Sequence, residues 1–125
     1  MNKVITAALS RPVATKADNS GLPVTPQKIA TAAAEAYAAS VTVAHVHVRD
    51  ERGMPTADVN IAREAMERIQ AACPIMVQLS TGVGLSIPLS DRAKLVELKP
   101  RMASLNPCSM AFWISVCINT PDEVR

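Results

Sequence analysis

Residues 41–50 read VTVAHVHVRD. The β-branched run marks a buried strand, yet it holds the only two histidines of the chain, His45 and His47, and runs straight into Arg49 and Asp50. Side chains alternate along a strand, so Val41, Val43, His45, His47 and Arg49 share one face and Thr42, Ala44, Val46 and Val48 the other. The second set is small and aliphatic, suited to packing under helices. The first turns from valine to imidazole toward the strand's C-terminal end, where active sites of α/β folds gather. The two imidazoles stand about 6–7 Å apart at their Cα atoms. Their rings can converge on one ion at roughly 2.0–2.1 Å if that ion is zinc. The same spacing also suits two hydrogen-bonded core histidines, although burying two polar rings without partners is costly. No further histidine exists in these residues to act as a third ligand; a carboxylate from outside them could supply it.

Around this strand, local signals alternate. VITAAL (Val4 to Leu9) reads as a short strand, and a polar loop runs from Ser10 to Val24. Thr25-Pro26 opens a helix, with threonine as cap and proline at the first helical position. Ile29, Ala33, Ala36 and Tyr37 form its apolar stripe. ERGMPTAD is a turn, and a second amphipathic helix runs from Asp58 to about Ala72, with Ile61, Ala65, Ile69 and Ala72 on its stripe. Cys73-Pro74 ends that helix. PIMVQL is a third strand, STGVGLSIP a loop, and Ser90 the expected cap of a third helix, DRAKLVELK, closed by Pro100. MASLN (Met102 to Asn106) is a fourth strand.

Strands alternating with helices predict βαβ units and a parallel sheet. After FWISVCIN comes TPDEVR, which has the form of a helix start: a threonine cap, proline, and two acids in the first turn. The expectation is an α/β chain of about four βα units, residues 1–125 forming the N-terminal half of a (β/α)₈ TIM-type barrel that stops at the start of a helix. A complete barrel needs about 250 residues. Residues 1–125 on their own are therefore expected to fold poorly and to lack activity.

Composition narrows the function. The 125 residues are 49% hydrophobic with only three aromatics, so the core must be aliphatic and alanine-rich. Thirteen basic and eleven acidic residues are interspersed, for a net charge of +2, which argues against a nucleic-acid partner. Three cysteines without a C-x-x-C pair suit a reducing, cytoplasmic setting. VITAAL is too short for a signal core or a membrane span.

Two further strand ends turn polar at the same edge. QLSTGVG (Gln78 to Gly84) follows the third strand; it is not a P-loop, because no G-K-[ST] follows. Ser80 and Thr81, with backbone N–H groups freed by Gly82 and Gly84, suit a carboxylate or phosphate, or equally an ordinary turn. MASLN places Ser104 and Asn106 on one face at the end of the fourth strand.

ITAAL, LPVTP, HVHVRD, QLSTG and LKPRMASLN, in this order and spacing, resemble the β-keto acid cleavage enzymes from about Val4 to Arg125. The resemblance implies a zinc-dependent (or other divalent-metal) barrel that cleaves a β-keto acid with acetyl-CoA to give acetoacetate and a CoA thioester. It further implies His45 and His47 as metal ligands, and Ser80, Thr81, Gly82, Ser104 and Asn106 as the substrate carboxylate site. The family's third ligand, a late glutamate, lies outside these residues, as do a late arginine and aspartate. The implied partners are the small-molecule keto acid and the CoA thioester, with a homo-oligomer expected at full length. Two departures stand out. Where relatives carry T-G and an acid, this chain has Arg11, Pro12 and Val13, which implies a less cationic substrate. Val83 replaces a common glycine and is expected to narrow the pocket. The competing readings are a metal-dependent hydrolase on a similar barrel, and an inactive half-barrel.

Overall fold

The computed structural model describes residues 3–84, 87–112 and 115–125. Four strands form one parallel sheet in sequence order: β1 (Thr6–Ala8), β2 (Val43–Val46), β3 (Met76–Leu79) and β4 (Met102–Ala103). Helix α1 (Pro26–Ala38) joins β1 to β2, and α2 (Val59–Ala72) joins β2 to β3. The connection to β4 is a short α3 (Leu89–Ala93) running into a 3₁₀ helix (Lys94–Leu98).

Local chemistry sets the long helices. Thr25 caps α1 by accepting from the Lys28 N–H, and Asp58 caps α2 by accepting from the Asn60 and Ile61 N–H groups. Both helices and the 3₁₀ helix pack over one face of the sheet. Ile29, Ala30 and Ala33 from α1, Ala62, Ala65, Met66 and Ile69 from α2, and Leu95 join Ala44 and Val46 of β2, and Val48 just past it, in a single core. Burying a side chain such as Ile69 stabilises the fold by about 1.5–3 kcal/mol. The expected stripes shift slightly: Tyr37 and Ala72 are exposed, while Ala30, Ala62 and Met66 take the buried places.

Four expectations are corrected. Ser90 does not cap the third helix. The helix begins two residues earlier than expected, at Leu89 rather than Asp91, because the Pro88 carbonyl already accepts from the Asp91 and Arg92 N–H groups, each at 3.1 Å. Packing favours that start, since Leu89 and Arg92 are both buried. The helix then tightens, and ends where Lys99 enters the left-handed region at φ 50° ahead of Pro100. The strands are shorter than their apolar runs; β4 pairs only Met102 and Ala103 with β3. Met110–Phe112 (β5) and Ser115–Cys117 (β6) form an antiparallel hairpin after β4, which the alternation does not foretell. Val83 is fully buried in the core, so it cannot narrow a pocket. The chain ends in α4 (Pro121–Val124). Among the described residues no helix is long and apolar enough to cross a membrane.

Candidate active site

Parallel strands align their C-terminal ends, and here those ends bring polar groups to one edge. Thr6 pairs with Val43, His45 with Gln78, and Gln78 with Met102. That register sets Ser10, His47, Ser80 and Ser104 side by side just past β1 to β4.

His45 and His47 face each other. Their ring centroids are 4.9 Å apart with planes at 77°, and their Nε2 atoms are 3.1 Å apart. Nδ1 of His45 lies 2.8 Å from Gln78 Oε1. The peptide of His47 is bracketed by Ser10, whose buried hydroxyl donates to the His47 carbonyl at 2.8 Å and accepts from its N–H at 3.1 Å. Burial, then the neighbouring His45 and Arg49, lowers the His47 pKa to about 4. At neutral pH the ring is therefore uncharged, the form that binds metal. The pair fits a metal ion: two bonds of roughly 2.0–2.1 Å meeting at a tetrahedral angle put their nitrogens about 3.3 Å apart, close to the 3.1 Å observed. Among the described residues no group of three or more His, Cys, Asp or Glu side chains converges, so no third such side chain joins the two rings there.

Beside the rings lies a cradle of hydroxyls. Ser80 Oγ and Ser104 Oγ are 3.2 Å apart. Ser80 Oγ also accepts from the Gly82 N–H, and Ser104 Oγ from the Thr81 N–H, each at 3.2 Å. A hydroxyl has a single proton to give, and one of the two suffices for the Ser80–Ser104 bond, so the other O–H stays free to donate. A Cβ on Gly82 would stand 3.4 Å from Ser80 Oγ and 3.9 Å from Asn106 Nδ2, so glycine keeps the cradle open. His45, His47, Ser80, Gly82, Ser104 and Asn106 line one cavity of about 290 Å³. Thr81 is not on its wall; its hydroxyl donates to the Ser104 carbonyl at 2.6 Å and so ties the two loops together.

The remaining wall comes from Pro12, Val13, Gly84, Met110 and Cys117. Two buried arginines hold it in place. Arg49 donates to the carbonyls of Gly53 at 2.6 Å, Ala14 at 2.7 Å and Arg11, pinning the loop that carries Pro12 and Val13. Arg92 donates to the carbonyls of Ile87, Thr81 and Ile118 and to Asn119 Oδ1, at 2.8–3.1 Å, linking the Ser80 loop to the foot of the hairpin. Sequence reasoning missed Ser10, Gln78 and Arg92. Gln78 alone left a signal: it is the one polar side chain in PIMVQL, two residues before Ser80 and on the same strand face.

The fold and site together define a singly wound parallel α/β chain with an imidazole pair beside a cradle of hydroxyls at the C-terminal strand ends. The chain belongs to the beta-keto acid cleavage enzyme family, whose sequence profile matches residues 3–125. It is 38% identical to a 3-keto-5-aminohexanoate cleavage enzyme of Fusobacterium nucleatum, over 98% of this chain and 46% of the relative. It is 36% identical to a 3,5-dioxohexanoate:acetyl-CoA acetone transferase of Paraburkholderia graminis, over 98% of this chain and 40% of the relative. The chain thus spans less than half the length of these curated relatives. Its fold matches a chain from the ternary complex of ObcA with C4-CoA adduct and oxalate, with a TM-score of 0.70 at 22% identity, covering 83% of this chain and 27% of that one.

Proposed function

We propose that residues 1–125 form the first four units of a (β/α)₈ barrel, and that the whole protein cleaves a β-keto acid with acetyl-CoA. The products are acetoacetate and a new CoA thioester. One observation carries this reading: the His45–His47 pair and the Ser80–Ser104 pair meet in a single cavity at the strand ends. The names of the relatives, a keto acid cleavage enzyme and an acetyl-CoA transferase, support it. Exposed apolar residues along both outer strands, Val4 and Ile5 beside β1 and Met102 and Leu105 at β4, suit a sheet continued by further strands.

The reaction balances without an oxidant. The bond between the α-carbon and the keto carbon breaks; the acyl carbon goes to the CoA sulfur, and the carboxymethyl fragment takes the acetyl group. His45 and His47 would hold zinc or a similar divalent ion, which supplies a Lewis acid for the charge that builds on the keto oxygen. The free O–H of the Ser80–Ser104 pair donates to the substrate carboxylate, with the Asn106 amide beside it, and fixes the substrate's orientation in the cavity. Thr81 acts in the same carboxylate site by holding Ser104 in place. Val13, apolar on the cavity wall, favours a keto acid without a cationic substituent. The protein is a cytoplasmic homo-oligomer in this reading.

Zinc analysis of the protein and of His45→Ala and His47→Ala tests the metal site, and equal zinc in all three would overturn it. Incubation of the whole protein with isotope-labelled acetyl-CoA and a panel of β-keto acids tests the chemistry. The label should appear in acetoacetate; its absence for every keto acid tried would defeat the assignment.

A further inference from the structure

We infer that Gln78 is a positioning residue that presets His45 as a metal ligand, and that His47 is the ring that must rearrange when metal binds. The inference rests on the metal reading above and adds which protein group prepares which ring.

The backbone delivers the contact. His45 and Gln78 are direct partners in the β2–β3 register, so their side chains leave the same face of neighbouring strands. Gln78 Oε1 lies 2.8 Å from His45 Nδ1. An amide oxygen only accepts, so the proton sits on His45 Nδ1 and the Nε2 lone pair points into the cavity. The 3.1 Å contact between the two Nε2 atoms then takes its proton from His47. That leaves His47 Nδ1 as a bare acceptor, and this atom is indeed buried with no hydrogen-bond partner. A single proton arrangement thus accounts for both contacts, and it leaves the unpartnered nitrogen without a proton. Metal binding through both Nε2 atoms leaves His45 as it is. In His47 the proton must leave Nε2 and return at Nδ1, with no change in the ring's charge. A metal-ligating histidine usually has its second nitrogen held by a partner; here Gln78 serves His45, and no described residue serves His47.

Long-range ¹H–¹⁵N NMR on histidine-labelled protein at pH 7.5, with and without zinc, reads the tautomers directly. Zinc affinity by competition with a chelator provides a second readout. Metal-free wild type should show His45 as Nδ1–H and His47 as Nε2–H, and zinc should switch His47 alone. Gln78→Leu should release His45 from Nδ1–H and weaken zinc binding by about tenfold to a hundredfold. Gln78→Glu, which keeps an acceptor oxygen in place, should restore both. His45 found as Nε2–H in the wild type overturns the inference, and does so even if Gln78→Leu fails to fold. A folded Gln78→Leu with unchanged tautomer and affinity overturns it equally. If His45 is Nδ1–H but zinc does not bind, the metal reading fails while the tautomer control by Gln78 stands.

Discussion

Ser80 Oγ and Ser104 Oγ lie 3.2 Å apart at the ends of adjacent parallel strands, each also accepting from a backbone N–H of the Ser80 loop. Their hydroxyls bond to each other and to backbone, and among the described residues neither meets an imidazole that could serve as its base and make it a nucleophile. Ser80→Ala or Ser104→Ala should lower kcat/KM for the keto acid on the order of tenfold to a hundredfold, the loss of a hydrogen bond to a charged group. Steady-state kinetics check this. Trapping of an acyl-serine by mass spectrometry would contradict it.

His47 predicts a pH dependence of stability. Its folded pKa is lowered to about 4 from an ordinary 6.5. Below pH 6.5 the unfolded chain takes up a proton that the folded chain refuses, so stability falls as pH drops. The loss should run from about pH 6.5 to about pH 4 and amount to at most about 3 kcal/mol. Urea unfolding of the metal-free protein across that range should show it, and His47→Gln should remove this part of the slope. An identical slope in the variant would mean other groups cause the loss.

Arg49 holds three carbonyls from two loops, those of Arg11, Ala14 and Gly53. Arg49→Met should cost about 2–3 kcal/mol, as charge-assisted bonds to buried carbonyls are lost. Hydrogen exchange over residues 10–16 should quicken in the folded variant. Arg49→Lys should recover less than half of the stability, because an ammonium cannot reproduce the planar fork. Unchanged exchange in that loop would show that Arg49 does not position it.

Val13 is 63% exposed and lines the cavity. Val13→Glu should shift preference toward keto acids bearing an ammonium group by about twofold to fivefold, the value of a solvent-exposed ion pair. Competition between an amino-substituted and a neutral keto acid in one reaction measures the ratio directly. No shift would place Val13 away from the substrate's far end.

The helices Pro26–Ala38 and Val59–Ala72 were legible because their causes are local: a capping side chain, a proline in the first turn, an apolar stripe of period 3.6. The histidine pair was legible for a similar reason. Imidazoles are out of place in an aliphatic strand, and period-two alternation puts both on one face. The early start of α3 was not legible, because the buried Leu89 and Arg92, rather than the polar Ser90, decide where that helix begins. Nor was the burial of Val83, which a glycine-flanked loop sequence does not disclose.

Strand order and register brought the site together, and they depend on contacts between residues far apart in the chain. Ser10 brackets a peptide 37 residues away, Gln78 reaches a ring 33 residues away, and Arg92 reaches the Asn119 amide 27 residues away. The sequence alone determined which polar side chains stand at the strand ends, since side-chain type and local periodicity are properties of short segments. Only the tertiary structure decided which of them orient the others. A hydrogen bond between distant segments exists only once the sheet has set their distance and direction.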